Sequence, residues 1–230
     1  MSGSDAQKRA AGEAAALLVE SGMTLGLGTG TTAAWFVRAL AERHVDVVCV
    51  ATSEAIAALG ETLGLKLANL DEVGAIDLTV DGADEIGPGL ALIKGAGAAL
   101  LREKLVWTAS RRCVVIAEAA KPVARLGAGA YPLPVEVVAF GHAQTAARLA
   151  AALSTQGISP TPVLRVKDGA PVRTDSGNLI YDAVCGAIED PAALAAAIKQ
   201  VTGVVDHGLF LGLAERALVG TDEGVVTLYP

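Results

Sequence analysis

Residues 81–104 read DGADEIGPGLALIKGAGAALLREK and join a strand-like segment to a helix-like one. The apolar run before them, residues 75–80, is typical of a buried strand. Three carboxylates follow at the end of this strand: Asp81, Asp84 and Glu85. A loop broken by glycines then leads to Lys94 and Glu103. Proton transfer on an anionic substrate requires such groups, and the carboxyl end of a parallel strand is where they are expected.

The first half of the chain alternates short apolar strands with helices. The strands are predicted at residues 23–27, 45–50, 66–68, 76–80 and 112–117. Their apolar residues are continuous rather than alternating, which indicates a parallel sheet that is covered on both faces. We therefore predict an α/β fold with a Rossmann-like parallel-sheet domain.

The pattern changes near residues 131–134, where two prolines punctuate the chain. The predicted elements that follow are a strand at 135–139, a helix at 143–152, strands at 163–167 and 179–184, a helix at 191–200 and a strand at 204–205. This βαββαβ order predicts an inserted, smaller ferredoxin-like α+β domain at residues 131–205. Asp190 followed by Pro191 predicts the start of its second helix.

The end of the chain, residues 215–230, reads ERALVGTDEGVVTLYP. Two short apolar runs flank Asp222, Glu223 and Gly224, a pattern typical of a hairpin. Because an isolated hairpin is not stable, we expect it to join the first sheet. The first domain is then discontinuous, comprising residues 1–130 plus 206–230.

Composition excludes several classes of partner. The net charge is −7 and aromatic residues make up only 3% of the chain, so neither nucleic acid nor an anionic membrane is expected. Cys49, Cys113 and Cys185 form no CxxC motif and are expected to be reduced, structural thiols. The first residues lack the order of a signal peptide and no apolar run is long enough to span a membrane. These features predict a cytoplasmic protein.

The glycine-rich turn at residues 26–32 reads GLGTGTT and stands between a strand and a helix. Its backbone N–H groups and threonine hydroxyls could cradle an anion. A tight strand-to-helix turn with threonine caps explains the same residues equally well. A dinucleotide site is disfavoured, because the spacing differs from GxGxxG and no acid ends the second strand. A P-loop is excluded, because no GK[ST] follows.

The carboxylates at residues 81–85 have an ordinary explanation, since Asp-Gly pairs are common in turns. Their place after a buried strand, with Lys94 in the loop that follows, favours a functional site instead. Calcium is a weaker alternative because the EF-hand order of ligands is lacking. The three histidines are scattered, so no zinc site is expected: His44, His142 and His207.

Eight segments in order along the chain carry a resemblance to a known family. They are GLGTGTTA at 26–33, VDGADEI at 80–86, IKGAGAALLREK at 93–104, AEAAKPV at 117–123, PLPVEVV at 132–138, TDSGNLIYD at 174–182, GVVDHGLF at 203–210 and VGTDEGV at 219–225. Each is weak alone, but together they resemble ribose-5-phosphate isomerase, type A. The resemblance implies interconversion of D-ribose 5-phosphate and D-ribulose 5-phosphate through an enediolate, in the non-oxidative pentose phosphate pathway.

The resemblance also implies roles for particular residues. Glu103 is the expected general base, and Lys94 is expected to stabilise the developing oxyanion. Asp81 would open the sugar ring or move hydroxyl protons, and Asp84 would orient Lys94 or bind hydroxyls. The expected substrate-binding residues, with the threonines and the lysine at the phosphate end, are Thr29, Gly30, Thr31, Thr32, Gly82, Ala83, Gly95, Ala96, Gly97 and Lys121.

This chain departs from the family pattern at two of these positions. Thr31 replaces a serine and keeps the hydroxyl. Ala96 replaces a glycine and keeps the backbone donor, but alanine resists a positive φ. The resemblance further implies that no metal or cofactor is needed, that the ligand is a small sugar phosphate, and that the chain forms a homodimer or homotetramer through the smaller domain.

Two other classes of protein fit parts of the sequence. One is a non-catalytic sugar-phosphate sensor, which would lack the set of acids and lysine and would carry a DNA-binding module. The other is a nucleotide-dependent oxidoreductase, which only the glycine-rich turn suggests.

Overall fold

The computed structural model describes residues 3–129, 131–159 and 161–230. These residues form two compact units. The first comprises the described residues up to Ala83, with Arg102–Pro122 and Gly212–Pro230, and the second comprises Asp84–Leu101 and Val123–Leu211. Residues 84–101 thus group with the second unit, whereas the sequence analysis assigns them to the first domain. Ala130, the predicted domain boundary, lies outside the described residues.

The helices and strands have the following bounds. The helices are α1 (Gly3–Ala16), α2 (Thr31–Glu42), α3 (Glu54–Thr62), α4 (Leu100–Thr108), α5 (His142–Thr155) and α6 (Pro191–Lys199). The strands are β1 (Thr24–Leu27), β2 (Val48–Ala51), β3 (Lys66–Leu67), β4 (Leu78–Gly82), β5 (Glu85–Ile86), β6 (Leu92–Ile93), β7 (Cys113–Glu118), β8 (Leu133–Val137), β9 (Val163–Leu164), β10 (Val166–Lys167), β11 (Ala170–Pro171), β12 (Leu179–Ala183), β13 (Val204–His207), β14 (Leu209–Phe210), β15 (Arg216–Thr221) and β16 (Gly224–Leu228).

The first unit is built on a sheet whose strand order, over the described residues, is β16-β15-β7-β4-β1-β2-β3. All neighbouring strands pair in parallel except β15 and β16, which form the predicted antiparallel hairpin. The apolar side chains of β1 and β4 are fully buried, as expected for a sheet covered on both faces. These pairings confirm the Rossmann-like sheet and the return of the hairpin to it.

The order of the strands defines a switch point at the carboxyl edge of the sheet. The chain winds outward from β1 through β2 and β3 on one side, and through β7 and β15 beyond β4 on the other. Leu27 pairs with Val80 in the register, so the residues after β1 and at the end of β4 meet at the carboxyl edge. Ligands of open α/β sheets bind at such a switch point.

The second unit contains an antiparallel sheet of order β13-β8-β12-β9. Helices α5 and α6 bury Leu149 and Leu194 in the same apolar cluster as the strands. The connectivity βαββαβ with this order confirms the ferredoxin-like prediction. Asp190 Oδ1 accepts the backbone N–H groups of Ala192 and Ala193 at 3.0 and 2.9 Å, so the predicted start of α6 is confirmed.

Two features of the second unit differ from the sequence prediction. The strands β5, β6 and β14 form a small sheet that the sequence analysis did not predict. The strand predicted at 163–167 is divided into β9 and β10, with Arg165 between them. No helix in the described part of the chain is long and apolar enough to cross a membrane.

The three cysteines are free thiols in non-polar surroundings. Cys49 and Cys113 are buried in the first unit, and burial raises the pKa of each to about 12. Cys185 is half-buried, and burial raises its pKa to about 11.

Candidate active site

Asp81 is the centre of the site in the first unit. It is the penultimate residue of β4 and is 0% exposed. Its Oδ1 accepts the backbone N–H groups of Thr29 at 3.1 Å and Gly82 at 2.7 Å. Its Oδ2 accepts the indole Nε1–H of Trp107 at 3.0 Å. Donors on both oxygens fix the plane of this carboxyl group.

The glycine-rich turn packs directly on Asp81. A Cβ placed on Gly28 would overlap Asp81 at Oδ1, Cγ and Cα, so only glycine permits this approach. Gly30 is the N-cap of α2 and provides no side-chain cap, so threonine caps do not explain the turn. Thr31 and Thr32 therefore begin α2 with backbone N–H groups that no cap residue satisfies. A helix N-terminus of this kind favours an anion.

The hydroxyl of Thr29 ties the turn to the neighbouring strand. Its Oγ1 lies 2.7 Å from Thr52 Oγ1 and donates to Ser53 Oγ at 2.8 Å. Ser53 in turn caps α3 by accepting the N–H of Ile56 at 3.3 Å. Thr52 and Ser53 follow β2 and were not predicted as site residues. The available signal was their position, since the ends of neighbouring parallel strands meet at one edge.

Glu103 lies in the first turn of α4 and is only 4% exposed. Trp107 is one helical turn further along and is also buried. Residues four apart share a helix face, so Glu103 lies on the same face of α4 as Trp107, whose indole donates a hydrogen bond to Asp81. The structure thus brings two predicted acids to one buried region of the first unit. Trp107 was not predicted as a site residue, although its position four residues after Glu103 would have placed both on one face of the helix.

Lys121 follows β7 and its side chain is 14% exposed. Its Nζ lies 3.9 Å from Glu118 Oε1, and the Nζ of Lys8 lies 3.7 Å from the same oxygen. Two cations therefore meet one carboxylate at the carboxyl end of β7. Lys8 was not predicted from the sequence.

Asp84 and Lys94 belong to the second unit. Asp84 Oδ2 accepts the backbone N–H of Ala96 at 2.8 Å, and its own N–H donates to the carbonyl of Ile93 at 2.8 Å. Lys94 is 2% exposed, and its Nζ lies 5.4 Å from the centre of the Phe210 ring. An ammonium over an aromatic face is a stabilising cation–π contact. Asp84 thus fixes the loop that carries Lys94.

The loop at residues 94–97 requires glycine at position 95. Gly95 has φ +111°, and a Cβ there would lie 2.9 Å from Leu100 Cδ2. Ala96 takes no positive φ, whereas Ala98 does, at +57°. The alanine that replaces a family glycine therefore fits without backbone strain, and the expected conflict at this position does not arise.

Two other buried carboxylates have structural partners. Glu85, expected with the acidic group, accepts the N–H groups of Gly127 and Gly129 at 2.6 and 3.1 Å. Glu136 in β8 accepts from Thr174 Oγ1 and Asn178 Nδ2, both at 2.9 Å, and burial raises its pKa. Across the described residues, no group of three or more His, Cys, Asp or Glu side chains is placed to hold a metal ion.

Comparison with known proteins places this chain in a family. Residues 48–224 match the family model of ribose 5-phosphate isomerase A (phosphoriboisomerase A). The chain belongs to this family. A ribose-5-phosphate isomerase A from Caulobacter vibrioides is 66% identical over 227 residues, which cover 98% of this chain and 99% of that protein. One from Parvibaculum lavamentivorans is 51% identical over 224 residues, covering 96% of each chain.

Solved structures of ribose 5-phosphate isomerase share the whole fold. The Plasmodium falciparum enzyme has a TM-score of 0.92 at 34% identity and covers 98% of this chain and 99% of its own. The enzyme from Neisseria gonorrhoeae has a TM-score of 0.90 at 34% identity, covering 99% and 97%. A third, solved in complex with phospho-erythronic acid, has a TM-score of 0.89 at 36% identity, covering 97% of each chain. Membership of the ribose 5-phosphate isomerase A family confirms the resemblance seen in the sequence.

Proposed function

We infer that this chain interconverts D-ribose 5-phosphate and D-ribulose 5-phosphate by aldose–ketose isomerisation through an enediolate. The observation that carries the proposal is the burial of Glu103 on the same face of α4 as Trp107. The indole of Trp107 donates a hydrogen bond to Asp81. Relatives named ribose-5-phosphate isomerase A over nearly the whole chain support the substrate.

Glu103 is the base of the proposed mechanism. The proton on C2 of the sugar is weakly acidic and must move to C1. A carboxylate held in a mostly water-free region can take the proton from C2 and deliver it to C1 without losing it to solvent. Asp81, whose carboxyl is fixed by backbone and indole donors, transfers hydroxyl protons during ring opening.

Lys94 is the proposed electrophile. As the proton leaves C2, negative charge grows on the neighbouring oxygen, and a buried ammonium stabilises that charge more in the transition state than in the substrate. Asp84 contributes by fixing the loop through the N–H of Ala96. Backbone groups of Gly82 and Ala83 in the first unit, and of Gly95 and Gly97 in the second, are proposed to bind the sugar hydroxyls.

The phosphate group is assigned to the start of α2 and to Lys121. Gly30, Thr31 and Thr32 present backbone N–H groups at the positive end of the helix dipole. Lys121 adds a full positive charge at the carboxyl end of β7 in the same unit. The hydroxyl of Thr29 donates to Ser53 and its N–H donates to Asp81, so Thr29 contributes by holding the shape of this turn.

A coupled assay of the purified protein with ribose 5-phosphate tests the function, and addition of a chelator should leave the rate unchanged. Glu103→Gln tests the base. We expect at least a ~100-fold loss of kcat with little change in KM, the usual scale for a general base. The matched control is Glu61→Gln, which alters an exposed glutamate of α3 in the same unit.

Two outcomes contradict parts of this proposal. If the wild-type protein does not turn over ribose 5-phosphate, the proposed function is refuted. Wild-type kcat in Glu103→Gln would remove only the assignment of the base. Assembly as a homodimer or homotetramer and a cytoplasmic location stay predictions.

A further inference from the structure

Arg165 makes contacts that the proposed mechanism has not used. It lies between β9 and β10 in the second unit, and its Nη1 donates to the carbonyl oxygens of Gly95 and Ala96 at 2.8 and 3.0 Å. Both acceptors belong to the loop at residues 94–97, which carries Lys94. One guanidinium nitrogen thus holds two consecutive peptide groups of that loop.

The guanidinium is itself held from the other side. Its Nε donates to Asp182 Oδ2 at 2.7 Å, and its Nη2 donates to Asp182 Oδ1 at 2.5 Å. The side chains of Arg165 and Asp182 are only 16% and 20% exposed. A two-point pair with a carboxylate fixes the plane of the guanidinium, which then directs Nη1 at the loop.

The backbone of Arg165 is also fixed. Its N–H donates to the carbonyl of Ile180 at 2.8 Å, and its carbonyl accepts the N–H of Val172 at 2.9 Å. Asp182 stands in β12, paired with Val163 of β9. The sheet therefore sets the position of both members of the pair.

The contacts of Arg165 with the two carbonyls also determine where the N–H groups of the loop point. The C=O and N–H of a trans peptide point in opposite directions. In the peptide between Gly95 and Ala96, the carbonyl bonds to Arg165 and the N–H bonds to Asp84, so both ends are anchored. In the next peptide, the Ala96 carbonyl bonds to Arg165, so the N–H of Gly97 points away from it. The N–H of Ala96 is thus taken by Asp84, and the N–H of Gly97 faces the side of the loop opposite Arg165, where it can donate to an anionic or hydroxyl oxygen.

We propose that Arg165, oriented by Asp182, is a positioning residue for the isomerase reaction: it holds the loop at residues 94–97 so that Lys94 and the N–H of Gly97 are pre-set for the sugar. Arg165 does not touch the substrate in this role. The inference rests on the proposed function and deepens it, since it names what fixes the electrophile.

Two substitutions of Arg165 test the proposal. Arg165→Met removes the donors and keeps a long side chain, and Arg165→Lys keeps the charge but cannot serve Asp182 and two carbonyls at once. We expect kcat/KM for ribose 5-phosphate to fall about 10- to 100-fold, the scale for hydrogen bonds to a charged group. The fall should lie mainly in kcat, because a displaced Lys94 weakens the transition state more than substrate binding. The matched control is Arg125→Met, which removes an exposed arginine paired with Glu189 in the same unit and should leave kcat/KM unchanged.

A rescue experiment separates positioning from general stability. Millimolar guanidinium ion should restore part of the kcat of Arg165→Ala, whose short side chain leaves room for the ion, and leave Arg125→Met unaltered. If Arg165→Met does not fold, Arg165→Lys and Asp182→Asn decide the question, and Asp182→Asn is expected to lose about 3- to 10-fold in kcat. Wild-type kcat in Arg165→Lys and Asp182→Asn would overturn the proposal, as would a loss in Arg165→Lys that is confined to KM.

Hydrogen exchange tests the contact without relying on the reaction. Peptides that cover residues 94–97 should exchange faster in Arg165→Lys than in the wild-type protein, while Arg125→Met should match the wild type. Unchanged exchange would show that Arg165 does not hold the loop. If the wild-type protein were inactive but hydrogen exchange in the loop were faster in Arg165→Lys, the isomerase function would be refuted and the contact between Arg165 and the loop would be supported.

Discussion

Substitution of Gly28 by alanine probes the packing of the glycine-rich turn on Asp81. The added Cβ would overlap the Oδ1, Cγ and Cα atoms of Asp81. Because one of these atoms is backbone, a rotation of the Asp81 side chain cannot relieve the overlap. Ordinary carbon–carbon contact lies at about 3.5–4.0 Å, so the turn and β4 must separate by about 1 Å.

The size of the effect follows from two terms. Overpacking of this kind costs about 1–3 kcal/mol. The separation also lengthens the hydrogen bond from the Thr29 N–H to Asp81 Oδ1, now 3.1 Å, and a bond to a charged group contributes about 1.5–3 kcal/mol. We expect the free energy of unfolding to fall by at least about 2.5 kcal/mol. At about 2–4 °C per kcal/mol for a chain of this size, Tm should fall by at least about 5 °C.

Activity should fall as well, because Asp81 is displaced. A shift of about 1 Å in a catalytic group can reduce turnover by about 100-fold. Thermal unfolding and the ribose 5-phosphate assay measure the two effects on one preparation. The matched control is Gly74→Ala in the same unit, where an added Cβ meets nothing within 4 Å. Gly74→Ala should change stability by less than about 0.5 kcal/mol. Equal Tm and equal turnover in the two variants would refute the close approach between the turn and Asp81.

Two further substitutions concern buried polar groups. Trp107→Phe removes the donor to Asp81 Oδ2. We expect the free energy of unfolding, measured in urea, to fall by about 1.5–3 kcal/mol, and kcat to fall as well. The control is Trp35→Phe, which alters the other of the two tryptophans and should keep kcat. Glu136→Gln tests a pH dependence. Burial raises the pKa of Glu136 above its ordinary 4.5, so the folded state holds this proton more tightly than the unfolded state, and the contribution of Glu136 to stability falls as pH rises through and above 4.5. Since glutamine does not titrate, urea midpoints at pH 4 and pH 7 should show the variant gaining stability relative to the wild type as pH rises; a constant difference would show that Glu136 is ionised in the same way in both states.

Much of the first unit could be predicted because its strands are continuous apolar runs. Leu78 and Val80 are fully buried, and this burial is what an uninterrupted apolar segment predicts. The return of the terminal hairpin to the first sheet was predictable because an isolated hairpin is not stable, and its strand β15 pairs with β7. The start of α6 at Asp190 was predictable from local capping rules, which depend on few residues.

The small sheet of the second unit was not predictable in the same way. Its strands have two residues each, which is too short for a periodic pattern, and β6 pairs with β14 more than a hundred residues away. The strand predicted at 163–167 is divided because β9 pairs with β12 whereas β10 pairs with β11, and no local pattern encodes these two partners.

The acids of the candidate site were found from sequence motifs, but their supporting residues were not. Trp107 looks like an ordinary apolar residue of a helix until its indole nitrogen is seen to donate to Asp81. Thr52 and Lys8 enter the site only because distant segments meet at the sheet edge. Motifs identify groups that do chemistry, whereas the groups that hold them depend on tertiary structure.

The environment of the three thiols has a practical consequence for the study of this protein. With pKa values of about 12 for Cys49 and Cys113 and about 11 for Cys185, almost no thiolate is present near neutral pH. Because the thiolate is the species that attacks alkylating reagents and peroxide, all three should react slowly in the native state. A single cysteine engineered at an exposed site could therefore be labelled with a maleimide fluorophore over a low background, without first removing the natural ones.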